Sequence, residues 1–148
     1  MTSSYIALDL ETTGLESRTE KITEAAALKV IDGEIHGRFV TLINPGRAIT
    51  KKITELTGIT DEMVKDAPAM EEVIGELLKF SEGLPLLGHN ISFDYRFLKQ
   101  AAVNSHLECE RDAVDTLLLC RSLMPADEKK NLSAACAFYH IPQSTAHR

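Results

Sequence analysis

Hydrophobic and polar positions alternate, then switch period, along this chain. Apolar residues at 5–10 predict a strand that opens the domain. Two further apolar runs, 22–31 and 35–43, read as strands joined at Asp32-Gly33, a dipeptide suited to a tight hairpin turn because both positions need positive φ. The first three strands are therefore expected to form an antiparallel meander, stopped by Asn44-Pro45-Gly46. Helical periodicity follows. Thr60 is placed to cap a short helix that starts with Asp61 and Glu62, acids favoured at the positive helix end. Met70, Val73, Ile74 and Leu77 recur at i, i+3, i+4, i+7 and predict an amphipathic helix that stops at Gly83. Residues 84–87 read as a short buried strand. Ser92 is expected to cap a helix whose inner face is Phe93, Phe97 and Ala101. A brief strand at Ala113-Val114 precedes a helix over 117–123, ended by Pro125. Asn131 is placed to cap another, carrying Leu132, Ala135, Cys136 and Tyr139 as far as Pro142. Residues 144–148 look like the first turn of a helix that continues.

A meander followed by alternating helices and strands predicts one α/β domain over residues 1–148, built on a mixed sheet. At 148 residues the chain can bury a real core, and 44% hydrophobic with 26% charged residues is ordinary for a globular protein. No apolar run approaches the ~20 residues of a membrane-spanning helix, so no membrane partner is expected. The opening MTSSYIALDL lacks the basic start and cleavage site of a signal peptide. Cys109, Cys120 and Cys136 are odd in number and widely spaced, which suggests neither a disulfide framework nor a zinc ribbon. A reducing, cytoplasmic setting is expected. The net charge of −6 argues against a protein that coats long duplex DNA through a basic face, yet leaves room for an enzyme that grips a strand end.

Candidate chemistry begins at Asp9-Leu10-Glu11-Thr12-Thr13-Gly14. Alternation along a strand puts Asp9 and Glu11 on one face, with Leu8 and Leu10 on the other. Two carboxylates so placed suit hard cations such as Mg²⁺ or Mn²⁺, and read equally as two solvated acids at a strand end. In His89-Asn90-Ile91-Ser92-Phe93-Asp94 an acid sits in the first helical turn after a buried strand; alone, that reads as capping. Asp115 has the same placement before its own helix, and capping is again its first reading. His147 alone reads as a surface residue beside Arg148, as do His36, His106 and His140 elsewhere.

Taken together and in order, D-x-E-T-T-G, H-N-x-x-F-D and a histidine after Tyr139-His140-Ile141-Pro142 resemble the DEDDh (DnaQ-like) 3′→5′ exonucleases. The likeness is strongest to the proofreading exonuclease of bacterial replicative DNA polymerases and runs from about residue 5 to 148. It includes Ile53-x-x-Leu56-Thr57-Gly58-Ile59-Thr60-Asp61-x-Met63-Val64 and Asp115-Thr116-Leu117. The resemblance implies a ribonuclease-H-like sheet with Asp9, Glu11 and Asp94 gathered around two Mg²⁺ or Mn²⁺ ions. Asp9 would bridge both ions, Glu11 would bind the first, Asp94 would hold the second, and His147 would be the general base. Thr12 and Thr13 would lie beside the terminal nucleotide, with His89 and Phe93 as further substrate contacts. Two-ion catalysis suits an in-line displacement at phosphorus, and histidine, with an ordinary pKa of ~6.5, can take a proton near neutrality. The implied reaction releases nucleoside 5′-monophosphates from single-stranded DNA 3′ ends, with a DNA polymerase as possible partner.

The family pattern closes with H-x(4)-D on a final helix, whereas this sequence stops one residue after His147. The resemblance therefore implies that the fourth acid and the closing helix are missing. Impaired activity and an uncovered apolar strip are then expected. RNA trimming by the same superfamily and a non-catalytic nucleic-acid-binding module are the rival expectations. An aspartyl-phosphate phosphatase would show D-x-D-x-T rather than D-x-E-T-T-G, and no G-x-x-x-x-G-K-[ST] phosphate loop occurs.

Overall fold

The computed structural model describes residues 3–142. Strand β1 (Tyr5–Thr12) runs antiparallel to β2 (Ile22–Ile31), which runs antiparallel to β3 (Glu34–Leu42). The β2–β3 turn is the expected Asp32-Gly33 pair, at φ 50° and 81°. On the other side of β1, β4 (Leu86–Gly88) pairs parallel, and β5 (Ala113–Asp115) pairs parallel with β4. The result is a five-stranded mixed sheet in the order β3-β2-β1-β4-β5.

Six helices are described among these residues: α1 (Lys51–Thr57), α2 (Asp61–Val64), α3 (Met70–Phe80), α4 (Ile91–Asn104), α5 (Thr116–Leu123) and α6 (Leu132–Phe138). Caps set their starts. Thr60 accepts from Met63 N in α2, and Asn131 accepts from Ala134 N in α6, both as expected. Two expectations change. Helix α1 was not predicted, although Thr50 caps it through Ile53 N and Gly58 ends it in the left-handed conformation. Ser92 is not a cap: the N-cap of α4 is Asn90, at φ 64° and ψ 47°, and Ser92 lies inside the helix.

The two faces of the sheet differ. Ile6, Leu8 and Leu10 of β1, with Ala25 and Ala27 of β2, point into a core closed by α3 and α4 through Ile74, Leu77, Phe97 and Leu98. Each fully buried Leu, Ile or Phe there is worth ~1.5–3 kcal/mol relative to exposure. The opposite face carries Ala7, Asp9 and Glu11, with Ala26 aligned to Asp9 and Leu28 to Ala7. Here α5 and α6 pack on each other through Cys120, Met124 and Ala135. Between them and the sheet lies an open apolar trough of about 790 Å³, bordered by Leu28, Val40, Leu119, Leu123 and Tyr139, with Asp9 and Asp94 also on its wall. No helix among the described residues is long and apolar enough to cross a membrane.

Candidate active site

Strand alternation delivers the first two acids as expected: Asp9 is exposed and Glu11 half-buried, on the face opposite the core. A bulge between Glu11 and Thr12 then shifts the register, so that Thr23 is the extra residue of β2. Glu11 lies opposite Glu24, a buried carboxylate that sequence reading passed over. Its signal was there: the one acid of β2, directly before the apolar run Ala25-Ala26-Ala27-Leu28.

Asp94 arrives by a separate route. Strand β4 pairs with β1 at Ile6↔Leu86 and Ala7↔Leu87, and the chain then turns into α4. Gly88 makes the close approach possible. A Cβ there would stand 3.0 Å from the Leu8 carbonyl oxygen and 2.9 Å from Ile91 Cδ1. One helical turn later Asp94 is buried, at 7% exposure, and accepts a backbone hydrogen bond from Leu10. Burial pushes its carboxyl up from 3.8 to about 8. The negative charges of Asp9, Glu11 and Asp115 push the same way, against the Leu10 bond. The three expected acids thus lie within electrostatic reach of one another. Among the described residues no group of three or more His, Cys, Asp or Glu side chains is placed to hold a metal ion, so Asp9, Glu11 and Asp94 stand as a loose cluster of charge. Its donors are all hard oxygens, and the crowding of carboxylates around Asp94 is what a divalent cation would relieve. In donor chemistry, the residues present suit a hard divalent cation.

The expected substrate-contact residues are largely committed to the protein. Thr12 Oγ1 donates to the Gly14 carbonyl at 2.7 Å. Thr13 Oγ1 donates to Glu20 Oε2 at 3.2 Å and accepts from Lys21 N at 2.9 Å. Glu20 is held in turn by Arg47 at 3.0 Å, and Gly14 leaves room for it, since a Cβ at that position would collide with the Glu20 carboxylate. These contacts brace the loop beside the acids. Phe93 is half-buried against Phe97, with ring centroids 5.1 Å apart. His89 has both ring nitrogens engaged, Nδ1 with Thr116 Oγ1 at 3.0 Å and Nε2 with the Lys130 carbonyl. Asp115 caps α5 as expected, accepting from Leu117 N at 2.8 Å. His147 and the expected last helical turn lie outside the described residues.

Comparison with known proteins agrees with this geometry. The family model for exonucleases (RNase_T, "Exonuclease") matches residues 6–148. The PolC-type DNA polymerase III of Thermotoga petrophila is 42% identical over 123 residues, covering 82% of this chain and 9% of that protein. The PolC-type DNA polymerase III of Bacillus subtilis is 39% identical over 148 residues, covering 98% of this chain and 10% of that protein. The chain thus spans about a tenth of the length of the curated relatives it matches. Among solved structures, exonuclease X in complex with 5′ overhanging duplex DNA superposes with a TM-score of 0.76 at 30% identity, covering 95% of this chain and 76% of the other. Escherichia coli exonuclease I in complex with a dA16 oligonucleotide reaches 0.84 at 16% identity, covering 99% and 37%, a likeness of fold. The mixed sheet and its helices are of the ribonuclease-H-like class found in these exonucleases. The chain belongs to the exonuclease family.

Proposed function

From that membership we propose that the chain hydrolyses single-stranded DNA from its 3′ end, one nucleoside 5′-monophosphate at a time, in proofreading or repair. The observation that carries this reading is the convergence of Asp9, Glu11 and Asp94 from two separate parts of the chain onto one open cluster of carboxylates. Divalent ions bound there would polarise the scissile phosphate and lower the pKa of the attacking water. Asp9 and Glu11, on the exposed strand end, face the incoming phosphate. Asp94, gripped by the Leu10 backbone, completes the set from below. Until cations arrive, the same acids repel a phosphate, so ion and substrate binding are coupled. His147 accepts the proton of the water whose oxygen attacks phosphorus. The bond from phosphorus to the 3′ oxygen breaks, and that oxygen leaves with a proton from solvent. The braced Thr12-Thr13-Gly14 loop and the Phe93 ring flank the terminal nucleotide. The similarity to PolC-type polymerases supports a cytoplasmic setting and association with a DNA polymerase as parts of this proposal.

The test is a 5′-labelled single-stranded DNA oligonucleotide incubated with the chain and Mn²⁺. Mn²⁺-dependent shortening from the 3′ end with release of 5′-monophosphates, even at a reduced rate, is expected, and its loss in EDTA and in Asp9→Ala. Oligonucleotide binding without Mn²⁺-dependent shortening would overturn the reading in favour of a binding module. Faster shortening of the matching RNA would replace DNA as the substrate.

A further inference from the structure

We propose that Asp115 and His89 form a latch that holds the start of α4, and through it Asp94, at the acidic site, which makes Asp115 a positioning residue for the reaction. The inference rests on the reading of Asp94 as a metal ligand given above.

Strands β4 and β5 end level, with Gly88 aligned to Asp115, and each passes straight into a helix. Helix starts leave backbone N–H groups without partners inside the helix. Asp115 serves its own helix in the ordinary way, with Oδ1 accepting from Leu117 N at 2.8 Å. The same oxygen also reaches across to the neighbouring segment and accepts from Asn90 N at 2.9 Å. Capping of α5 explains the first bond and leaves the second unexplained. Asn90 is the N-cap of α4, makes no side-chain cap bond itself, and sits in the left-handed region, which costs a non-glycine residue about 1 kcal/mol even where asparagine tolerates it. The bond from Asp115 holds Asn90 where its own preference would not.

His89 secures the same junction from the other side. The Lys130 carbonyl can only accept, so His89 Nε2 carries the proton, and in the neutral ring Nδ1 then accepts from the Thr116 hydroxyl. The Lys130 end is itself fixed, because its Nζ donates to the carbonyls of Pro125 at 2.9 Å and Glu128 at 2.7 Å. Residues 89 and 90 are thus tied to residues 116 and 115 in turn. Asp94 follows within one helical turn and is held on its far side by Leu10. Loosening the latch therefore moves the buried carboxylate relative to Asp9 and Glu11.

The experiment compares Asp115→Ala, Asp115→Asn and Thr116→Val in the full chain. Asparagine keeps an oxygen that accepts both N–H groups; alanine does not; valine removes only the hydroxyl that meets His89. Mn²⁺ binding is read from the free-ion electron paramagnetic resonance signal, and the latch from hydrogen exchange of the Asn90 and Leu117 amides. For Asp115→Ala we expect Asn90 exchange at least ~10-fold faster and Mn²⁺ affinity ~10-fold weaker, as for other groups that orient metal ligands. The turnover number kcat should fall ~10-fold or more with KM for the oligonucleotide within about twofold. Asp115→Asn should restore all of these to within about threefold, and Thr116→Val should weaken Mn²⁺ binding about threefold. Faster exchange in Asp115→Ala with unchanged Mn²⁺ affinity would overturn the proposal and leave Asp115 a helix cap only. An Asp115→Asn as impaired as the alanine variant would overturn it too. Should Asp115→Ala not fold, unchanged Mn²⁺ affinity in Thr116→Val would overturn the latch in its place. Absence of Mn²⁺ binding by the parent chain would instead sink the metal-ligand reading, and the positioning role of Asp115 with it.

Discussion

The two faces of β1 are built from alternate residues of one strand, and they do different work. Ile6, Leu8 and Leu10 are almost wholly removed from solvent under α3 and α4, where close packing makes every methylene count. Asp9 and Glu11 face the other way, beside a trough whose walls include Val40 at 63% and Leu123 at 70% exposure. Burial on the first face supplies the stability that allows the second to concentrate like charges. Asp94 crosses this division. It belongs to a core-packing helix, yet its carboxyl is pressed by the charges of the open face. Chemistry on this fold is therefore expected to cost stability only where a charge is buried.

The largest effect expected from breaking this division is on the open face. Asp9→Ala should reduce Mn²⁺-dependent nucleotide release ~1000-fold or more, about 4 kcal/mol of transition-state stabilisation, with an unchanged or raised Tm. Rate assays and thermal melts on one preparation check both halves. The mirror experiment is Leu8→Ala, which should lower unfolding free energy by about 2–5 kcal/mol while the folded fraction keeps its Mn²⁺ affinity. Denaturant titration paired with Mn²⁺ binding would show it. Asp94 tests the crossing point. In EDTA the folded protein keeps a proton on Asp94 up to about pH 8, whereas the unfolded chain loses it near its ordinary 3.8. The folded state then binds more protons, so stability should fall as pH rises from about 4 to 8. Asp94→Asn should flatten that slope and gain about 1–3 kcal/mol at pH 8, as measured by urea titration at pH 5 and 8. Smallest of all, Val40→Thr on the trough wall should change stability by less than about 0.5 kcal/mol. A larger loss in a melt would mean that the open face is packed after all.

Much of the architecture is legible in the sequence alone. Alternation placed Asp9 and Glu11 together, Asp32-Gly33 marked the hairpin, and Thr60 and Asn131 announced two helices. These signals depend on backbone geometry within a few residues, which is why they survive reading in isolation. Helix α1 escaped because its seven residues bury only Thr57 and carry no apolar stripe, although Thr50 and Gly58 bracketed it. Asn90 was passed over in favour of Ser92 because a left-handed N-cap depends on a bond from another strand. The family resemblance led to the expectation that Asp94 joins the other two acids; nothing in its local spacing did. Its burial and electrostatic coupling come from the parallel pairing of β4 with β1, permitted at Gly88. The engagement of His89, the double duty of Asp115 and the pairing of Glu11 with Glu24 were likewise set by which segments lie side by side. Sequence alone determined the periods, the turns and the direction in which each strand side chain points. Tertiary structure alone decided which polar atoms are already taken and which charges must share one space, because hydrogen bonds and Coulomb forces act between neighbours in space and take no account of distance along the chain.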